Sequence, residues 1–312
     1  MRNWKSLIAA AAIGLAAFLL YRTLSRYSLD QLVAAVTAVP TPRLLGAIGF
    51  AAASYLSLTG FDYLALHYVG RPLPYRKAAL ASFTALSLGH NIGLAALSSG
   101  AVRYRFYTRW GLGAGDVARM IVFCGATVGL GLLVLGGAAL LLRSGLAVEI
   151  TGLTQKVVIA LGIGCLALPA VYLILAAFVR RPLKIRQWSL EMPPLRLALG
   201  QVLIGSINFA FVAACLHQAL AAVSDVAYPG VASVYVIANA TALVSHVPGG
   251  LGVIESVVMY LLPQKDLIGP LLVFRFVYFL VPLGLGGALF AATELIYRRR
   301  SGSYTGAAEA KA

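Results

Sequence analysis

The chain has 312 residues, of which 60% are hydrophobic and 11% charged, and its mean hydropathy is +0.87. The apolar share of a soluble domain is nearer about 45–50%. The 25 Lys and Arg residues against 10 Asp and Glu give a formal charge of +15, and they lie between apolar runs. This composition excludes an ordinary soluble domain and a nucleic-acid binder. It predicts an all-α polytopic membrane protein whose basic loops face anionic lipid headgroups.

Six apolar runs are predicted to cross the bilayer, the first as an uncleaved helix. They are residues 7–20, 44–67, 116–142, 157–179, 197–222 and 267–292. The 3 cysteines lie in three different runs, with no Cys-x-x-Cys spacing and no cluster of histidines. The sequence therefore predicts no disulfide, no metal site and no cofactor.

Two further apolar segments are interrupted. Residues 78–101 contain Gly89-His90-Asn91 and Gly93 and end at Ser98-Ser99-Gly100, and residues 231–262 contain Val247-Pro248-Gly249-Gly250-Leu251-Gly252. Each half of the second segment is too short to cross a hydrocarbon core of about 30 Å. Bare backbone at membrane depth needs protein or a water-filled cavity around it, and paired half-helices of this kind are the usual basis of a transporter site.

The distribution of Lys and Arg predicts the orientation, because cytoplasmic loops carry the excess. The loop from Arg180 to Arg196 and the Arg298–Arg300 stretch are expected inside, and the Asp225 loop outside. Both interrupted segments must then enter and leave on one side. The prediction is a membrane protein with six crossings, two re-entrant hairpins and both termini in the cytoplasm.

This order of elements occurs twice. Residues 1–150 and 151–297 each contain three predicted crossings and one re-entrant hairpin, and residues 298–312 are expected to form a polar cytoplasmic tail. A shift of about 150 positions places Gly100 on Gly250 and Arg105 on Glu255. We interpret the two halves as an inverted pseudo-twofold repeat, as found in many transporters.

Two motifs resemble a known family. They are Ser99-Gly100-Ala101-Val102-Arg103-Tyr104-Arg105, followed by Tyr107 and Trp110-Gly111, and Val247-Pro248-Gly249-Gly250-Leu251-Gly252-Val253-Ile254-Glu255. Both are similar to the membrane domain of lysylphosphatidylglycerol synthases and its stand-alone, YbhN-like relatives, over residues 44–292. The resemblance implies a bacterial inner-membrane protein that moves phospholipid headgroups between leaflets. Bifunctional members have a soluble aminoacyltransferase domain after the membrane part, and the sequence stops at Ala312, so the resemblance implies no synthase activity.

The two motifs contain candidate substrate-binding residues. Gly249, Gly250 and Gly252 would let a headgroup approach the backbone, and the helix beginning near Gly250 would direct its positive end at a phosphate. Arg103 and Arg105 would face one side on an extended segment but diverge on a helix, and either could hold a phosphate bidentately.

Other candidates lie at or near the breaks. Glu255 at apolar depth costs about 2.5–3.5 kcal/mol, so we expect a partner, either Arg105 or Arg275. His246 and His90 could cap helix ends or carry a proton. Asn91 could hydrogen-bond between helices or contact the headgroup.

Structural roles compete with these functional ones. Arg103 and Arg105 could be positive-inside anchors beside the membrane, and a pair of Glu255 with Arg275 could lock two parts of the fold together. Asp62, near the end of the second crossing, is expected at the membrane interface.

The sequence therefore favours a flippase rather than an enzyme, with membrane phospholipids as substrates. Its partner would be a second copy of itself or an envelope lipid-transfer protein. The headgroup would pass between the two hairpins, downhill or driven by an ion gradient, with Glu255 and His246 as proton carriers. A non-transporting partner of an envelope lipid-transfer complex and an integral lipid-modifying enzyme are the alternatives.

Overall fold

The protein is helical. The computed structural model describes residues 29–92, 95–179, 183–185, 188–245, 247–262 and 266–309. The α-helices within these ranges are α1 (Leu29–Ala38), α2 (Thr41–Tyr68), α3 (Tyr75–Ile92), α4 (Ala95–Arg109), α5 (Ala114–Leu142), α6 (Ser144–Thr151), α7 (Gln155–Phe178), α8 (Leu195–Leu220), α9 (Tyr228–Ser245), α10 (Val253–Leu261), α11 (Ile268–Arg275) and α12 (Val281–Glu309).

Four short elements lie between these helices. A 3-10 turn at Pro248–Gly250 lies between α9 and α10, and a π-helical turn at Phe276–Leu280 joins α11 to α12. The strands β1 (Leu183–Ile185) and β2 (Trp188–Leu190) pair antiparallel inside the basic loop.

Six helical stretches of the described chain are long and apolar enough to cross a membrane. They are Thr41–Tyr68, Ala114–Leu142, Gln155–Phe178, Leu195–Leu220, Tyr228–Ser245 and Ile268–Tyr297. All but Tyr228–Ser245 confirm predicted crossings to within a few residues. The crossing predicted at residues 7–20 lies outside the described residues.

The remaining stretch is α9, which the sequence predicts as a half-helix over residues 231–243, too short to cross. That expectation is wrong about its length. The helix begins earlier, at Tyr228, because Pro229 fits the first turn of a helix, and it continues to Ser245. Its 18 residues make it about 27 Å long at about 1.5 Å per residue.

The first interrupted segment breaks later than expected. Helix α3 continues through Gly89, His90 and Asn91 to Ile92, and α4 runs from Ala95 to Arg109 without ending at Gly100. The two residues between these helices, 93–94, lie outside the described residues. Gly89 serves helix packing, since a Cβ placed on it would lie only 2.7 Å from the Ser99 Cβ of α4.

The centre of the bundle is formed by α2 packed against α8, with α5 packed against both α7 and α8. Helices α5 and α8 approach closely where Gly131 faces Gly205. A Cβ on Gly131 would lie 2.4 Å from the carbonyl carbon of Gly205, so this crossing requires glycine. Close approach through small residues is how membrane helices gain van der Waals contact when lipid removes the hydrophobic driving force.

The helix order recurs along the chain. Helices α2, α3 and α5 begin 154, 153 and 154 residues before α8, α9 and α11, and each half has a short helix between the last two. This spacing agrees with the predicted shift of about 150 positions. The opposite orientation of the two halves remains a prediction.

Candidate functional site

The loop between α9 and α10 is held in a conformation that favours glycine. Gly249, Gly250 and Gly252 have φ values of 62°, 57° and 82°. An L-residue with a side chain pays about 1–2 kcal/mol in this region, whereas glycine does not. The backbone of the break therefore favours the three glycines that mark it in the sequence, and two of them, Gly249 and Gly250, are buried.

Arg275, at the end of α11, holds this loop in place. Its Nε and Nη2 donate to Glu255 Oε1 at 2.8 and 2.5 Å, its Nη1 donates to the Gly249 carbonyl, and Nη2 also donates to the Gly250 carbonyl at 3.2 Å. The guanidinium carbon lies 4.4 Å from the Phe279 ring centroid, and the residue is only 2% exposed. One side chain thus connects α11, the loop and α10.

Glu255 occupies the first turn of α10, where its Oε2 accepts from the Gly252 N–H at 2.9 Å. Of the two partners that the sequence leaves open, the structure selects Arg275. Arg105 is wrong as the partner, because it pairs with a different carboxylate. Arg275 and Glu255 form a nearly neutral buried pair whose opposite charges both face the broken loop.

The loop between α9 and α10 lies against the end of α3. A Cβ on Gly249 would be 3.7 Å from the Asn91 Cα and from the His90 carbonyl oxygen, so the loop contacts the last turn of α3. Asn91 Nδ2 donates to the Ser87 carbonyl at 2.9 Å and to the Phe279 carbonyl at 3.4 Å. Asn91 therefore links α3 to the π-helical turn, as an interhelical hydrogen-bonding residue.

The structure describes only one of the two histidines predicted at the breaks, His90. The His90 ring lies half-buried, 6.4 Å from the Tyr55 ring centroid. His246 lies outside the described residues, and its role stays a prediction.

Buried polar groups extend from the breaks into the centre of the bundle. Ser54 Oγ donates to Asn208 Oδ1 at 2.8 Å and lies 3.1 Å from Tyr278 Oη, while Tyr55 Oη donates to the Tyr278 carbonyl at 3.2 Å. The Tyr278 carbonyl belongs to the π-helical turn, whose irregular hydrogen bonding makes it available. Polar residues at this depth are costly in lipid and often mark a pathway.

Arg103 belongs to a separate, fully buried cluster. Its Nε lies 3.0 Å from both carboxylate oxygens of Asp62, its Nη2 donates to Oδ1 at 2.7 Å, and its Nη1 donates to Ser99 Oγ at 3.0 Å. Tyr107 Oη also donates to Asp62, at 2.8 Å. Asp62 and Arg103 are 0% and 3% exposed. Arg103 is therefore a buried partner of Asp62 rather than a side chain that faces headgroups at the membrane surface, and the interfacial position of Asp62 stays a prediction.

Arg105 points elsewhere, as expected for a residue two positions away on a helix. Its Nε and Nη2 donate to Glu294 Oε1 and Oε2 at 3.1 and 2.8 Å, and Arg109 Nη2 also donates to Glu294 Oε2, at 2.7 Å. Arg103 and Arg105 thus have carboxylate partners on different helices. Neither guanidinium is positioned at the broken loop.

Sequence reasoning missed Asp62 and Glu294 as partners of these arginines. Both are acidic residues in or beside apolar runs, where an isolated charge is costly and a cationic partner is expected. The same argument that assigned a partner to Glu255 could have found them.

Comparisons with known proteins place this architecture in a family. No protein-family model matches the chain. The chain is 32% identical over 311 residues to "Uncharacterized protein slr0712" of Synechocystis sp., covering 96% of this chain and 97% of that protein. It is also 32% identical over 250 residues to "Inner membrane protein YbhN" of Escherichia coli (strain K12), covering 77% of this chain and 76% of that protein. With its membrane-spanning helices, the chain therefore belongs to the YbhN-like family of multi-pass inner membrane proteins.

Proposed function

We propose that the protein is a lipid transporter that moves the headgroup of a phospholipid or related envelope lipid between leaflets. The observation that carries the proposal is the contact between the loop at Gly249 and the last turn of α3, which come from distant parts of the sequence. Irregular backbone within a membrane bundle is tolerated where it is buried in protein or lines a water-filled cavity, and transporter sites are commonly built on such interrupted helices.

The charges at the meeting point favour a headgroup with a phosphate. Arg275 is held by Glu255 and by the carbonyls of Gly249 and Gly250. A phosphate that replaces Glu255 as the partner of Arg275 would form bidentate hydrogen bonds of the kind guanidinium groups prefer. The same exchange would free Glu255 for the amine of a zwitterionic headgroup.

This exchange couples binding to movement. Since Arg275 Nη2 donates both to Glu255 and to the Gly250 carbonyl, a phosphate that takes over this nitrogen would also release the Gly250 carbonyl and loosen the loop. A ligand shifts a conformational equilibrium only by its preference for one state, and here the preferred state is the one with the loop released.

Arg103 and Arg105 have supporting roles in this proposal. Their guanidinium groups are already paired with Asp62 and Glu294, so Arg275, rather than either of them, is the residue proposed to bind the phosphate. Arg103 holds α4 to α2, and Arg105 holds α4 to α12.

The recurring helix order supports an alternating-access mechanism. In this proposal the two halves have opposite orientations, α3 with α4 and α9 with α10 form the two hairpins, and rocking of one half against the other exposes the breaks to each leaflet in turn. Both termini lie in the cytoplasm. Transport is downhill or coupled to an ion gradient, with Glu255 as the proton carrier.

The test is leaflet exchange of fluorescent phospholipids in proteoliposomes, comparing wild type with Glu255→Gln. Without the carboxylate, no group competes with a bound phosphate for Arg275, so the phosphate would be released more slowly. We therefore expect exchange at least about tenfold slower, which corresponds to a free-energy barrier about 1.4 kcal/mol higher. Glu149→Gln is the matched control, because Glu149 is exposed on α6. Wild-type exchange no faster than in empty liposomes, across several headgroups, would refute transport and favour a non-transporting partner role.

A further inference from the structure

A second arginine cluster lies away from the breaks, where the end of α4 meets α12. Glu294 is its only carboxylate among the described residues and is 3% exposed. It pairs with Arg105 at 2.8 Å and with Arg109 at 2.6 Å. Two guanidinium groups share one carboxylate, so the cluster has one unbalanced positive charge.

One donor of this cluster has no acceptor. Arg109 Nη1 is buried and has no hydrogen-bond partner within the described part of the chain. The rest of the guanidinium is fixed, since Nη2 is held by Glu294 and the central carbon lies 4.8 Å from the Tyr297 ring centroid. A buried charged donor without an acceptor is costly, and such groups are rarely left unsatisfied. The unused nitrogen and the unbalanced charge both favour an anion as a further partner of this cluster.

The surroundings place the cluster at headgroup level. Trp110 Nε1 donates to Tyr297 Oη at 3.0 Å, and Lys77 Nζ lies 5.5 Å from the centroid of the Trp110 ring. Trp and Tyr residues with Lys and Arg beside them are typical of the membrane–water interface. An anion bound here would therefore be at the bilayer surface rather than at the breaks.

We infer that Arg109, with Lys77 over the neighbouring Trp110 ring, binds a phosphate group at the bilayer surface, separately from the proposed transport path. Guanidinium and ammonium groups are the usual phosphate ligands, and arginine provides a planar pair of donors. The phosphate belongs either to an anionic lipid or to free inorganic phosphate. Binding here requires no transport, so a protein that binds the lipid and does not move it would refute only the proposed function.

Native mass spectrometry of the delipidated, detergent-solubilised protein tests this inference. Phosphatidylglycerol and diacylglycerol, which lacks the phosphate, are titrated against wild type, Arg109→Gln and Arg119→Gln. Arg119 is the matched control, since its side chain is 49% exposed and pairs with Asp116. We expect wild type to prefer phosphatidylglycerol, Arg109→Gln to bind it at least about tenfold more weakly, and Arg119→Gln to bind as wild type does.

Two further arms complete the test. A rise in the wild-type melting temperature with inorganic phosphate, without preference for phosphatidylglycerol over diacylglycerol, would assign the site to free phosphate. If Arg109→Gln does not fold, Arg109→Lys replaces it and should weaken binding in the same direction, because an ammonium lacks the paired donors. Equal phosphatidylglycerol affinity in wild type and the Arg109 variant, with no phosphate effect on melting, would overturn the inference.

Discussion

Replacing Asp62 by asparagine is expected to destabilise the protein by about 3–5 kcal/mol. The substitution preserves the shape of the side chain but removes the charge that balances Arg103, which is 3% exposed. It also turns an amide N–H₂ toward donors, since Asp62 accepts hydrogen bonds from both Arg103 and Tyr107. An uncompensated guanidinium in this position loses its pairing but keeps its full desolvation cost.

The assay is SDS-induced unfolding of the detergent-solubilised protein, followed by circular dichroism. Asp225→Asn is the control, because Asp225 is exposed in the loop after α8. The double variant Asp62→Asn with Arg103→Gln removes the unpaired charge, so we expect it to be less destabilised than Asp62→Asn alone. A loss of less than about 1 kcal/mol of unfolding free energy in Asp62→Asn would refute the reasoning. A double variant that is at least as destabilised as Asp62→Asn alone would also refute it.

Three further substitutions follow from the packing and the charges. Gly131→Ala should lower the melting temperature, because its Cβ would collide with α8. Gly129→Ala is the control and should not lower it, since no heavy atom lies within 4 Å of the Cβ position at Gly129. Equal effects of the two substitutions would contradict the close crossing of α5 and α8. Glu294→Gln should destabilise the protein by more than Glu149→Gln in the same unfolding assay, because it leaves two arginines without a carboxylate. Gly252→Ala should cost about 1–2 kcal/mol for its positive φ, and an unchanged stability would show that the loop adopts another conformation.

The crossings could be predicted from the sequence because a bilayer imposes one simple requirement, a long apolar run with its charges outside. The break at Gly249 to Gly252 was also predictable, since proline and glycine interrupt a helix for local reasons. The length of helix α3 was harder to predict. Its Gly89 resembles a break but allows contact with α4, and only the three-dimensional packing distinguishes the two uses of glycine.

The charged pairs show where a single sequence is insufficient. Glu255 needed a partner, yet Arg105 and Arg275 were equally suitable until the path of the chain was known. Arg103 and Arg105 were expected to diverge on a helix, yet the sequence did not show that their partners would be Asp62 and Glu294 on different elements. Pairing across distant helices depends on topology, which local patterns do not determine.

The central claim is that lipid passes where the two breaks meet, which requires them to separate. The most direct measurement is leaflet exchange by a variant with Asn91→Cys and Gly249→Cys, after replacement of the three native cysteines. The Cβ position at Gly249 lies 3.7 Å from the Asn91 Cα, within reach of a disulfide. The account predicts that oxidation stops exchange, that reduction restores it, and that neither single-cysteine variant responds to oxidant. Undiminished exchange by the cross-linked protein, with the disulfide confirmed by mass, would contradict the account.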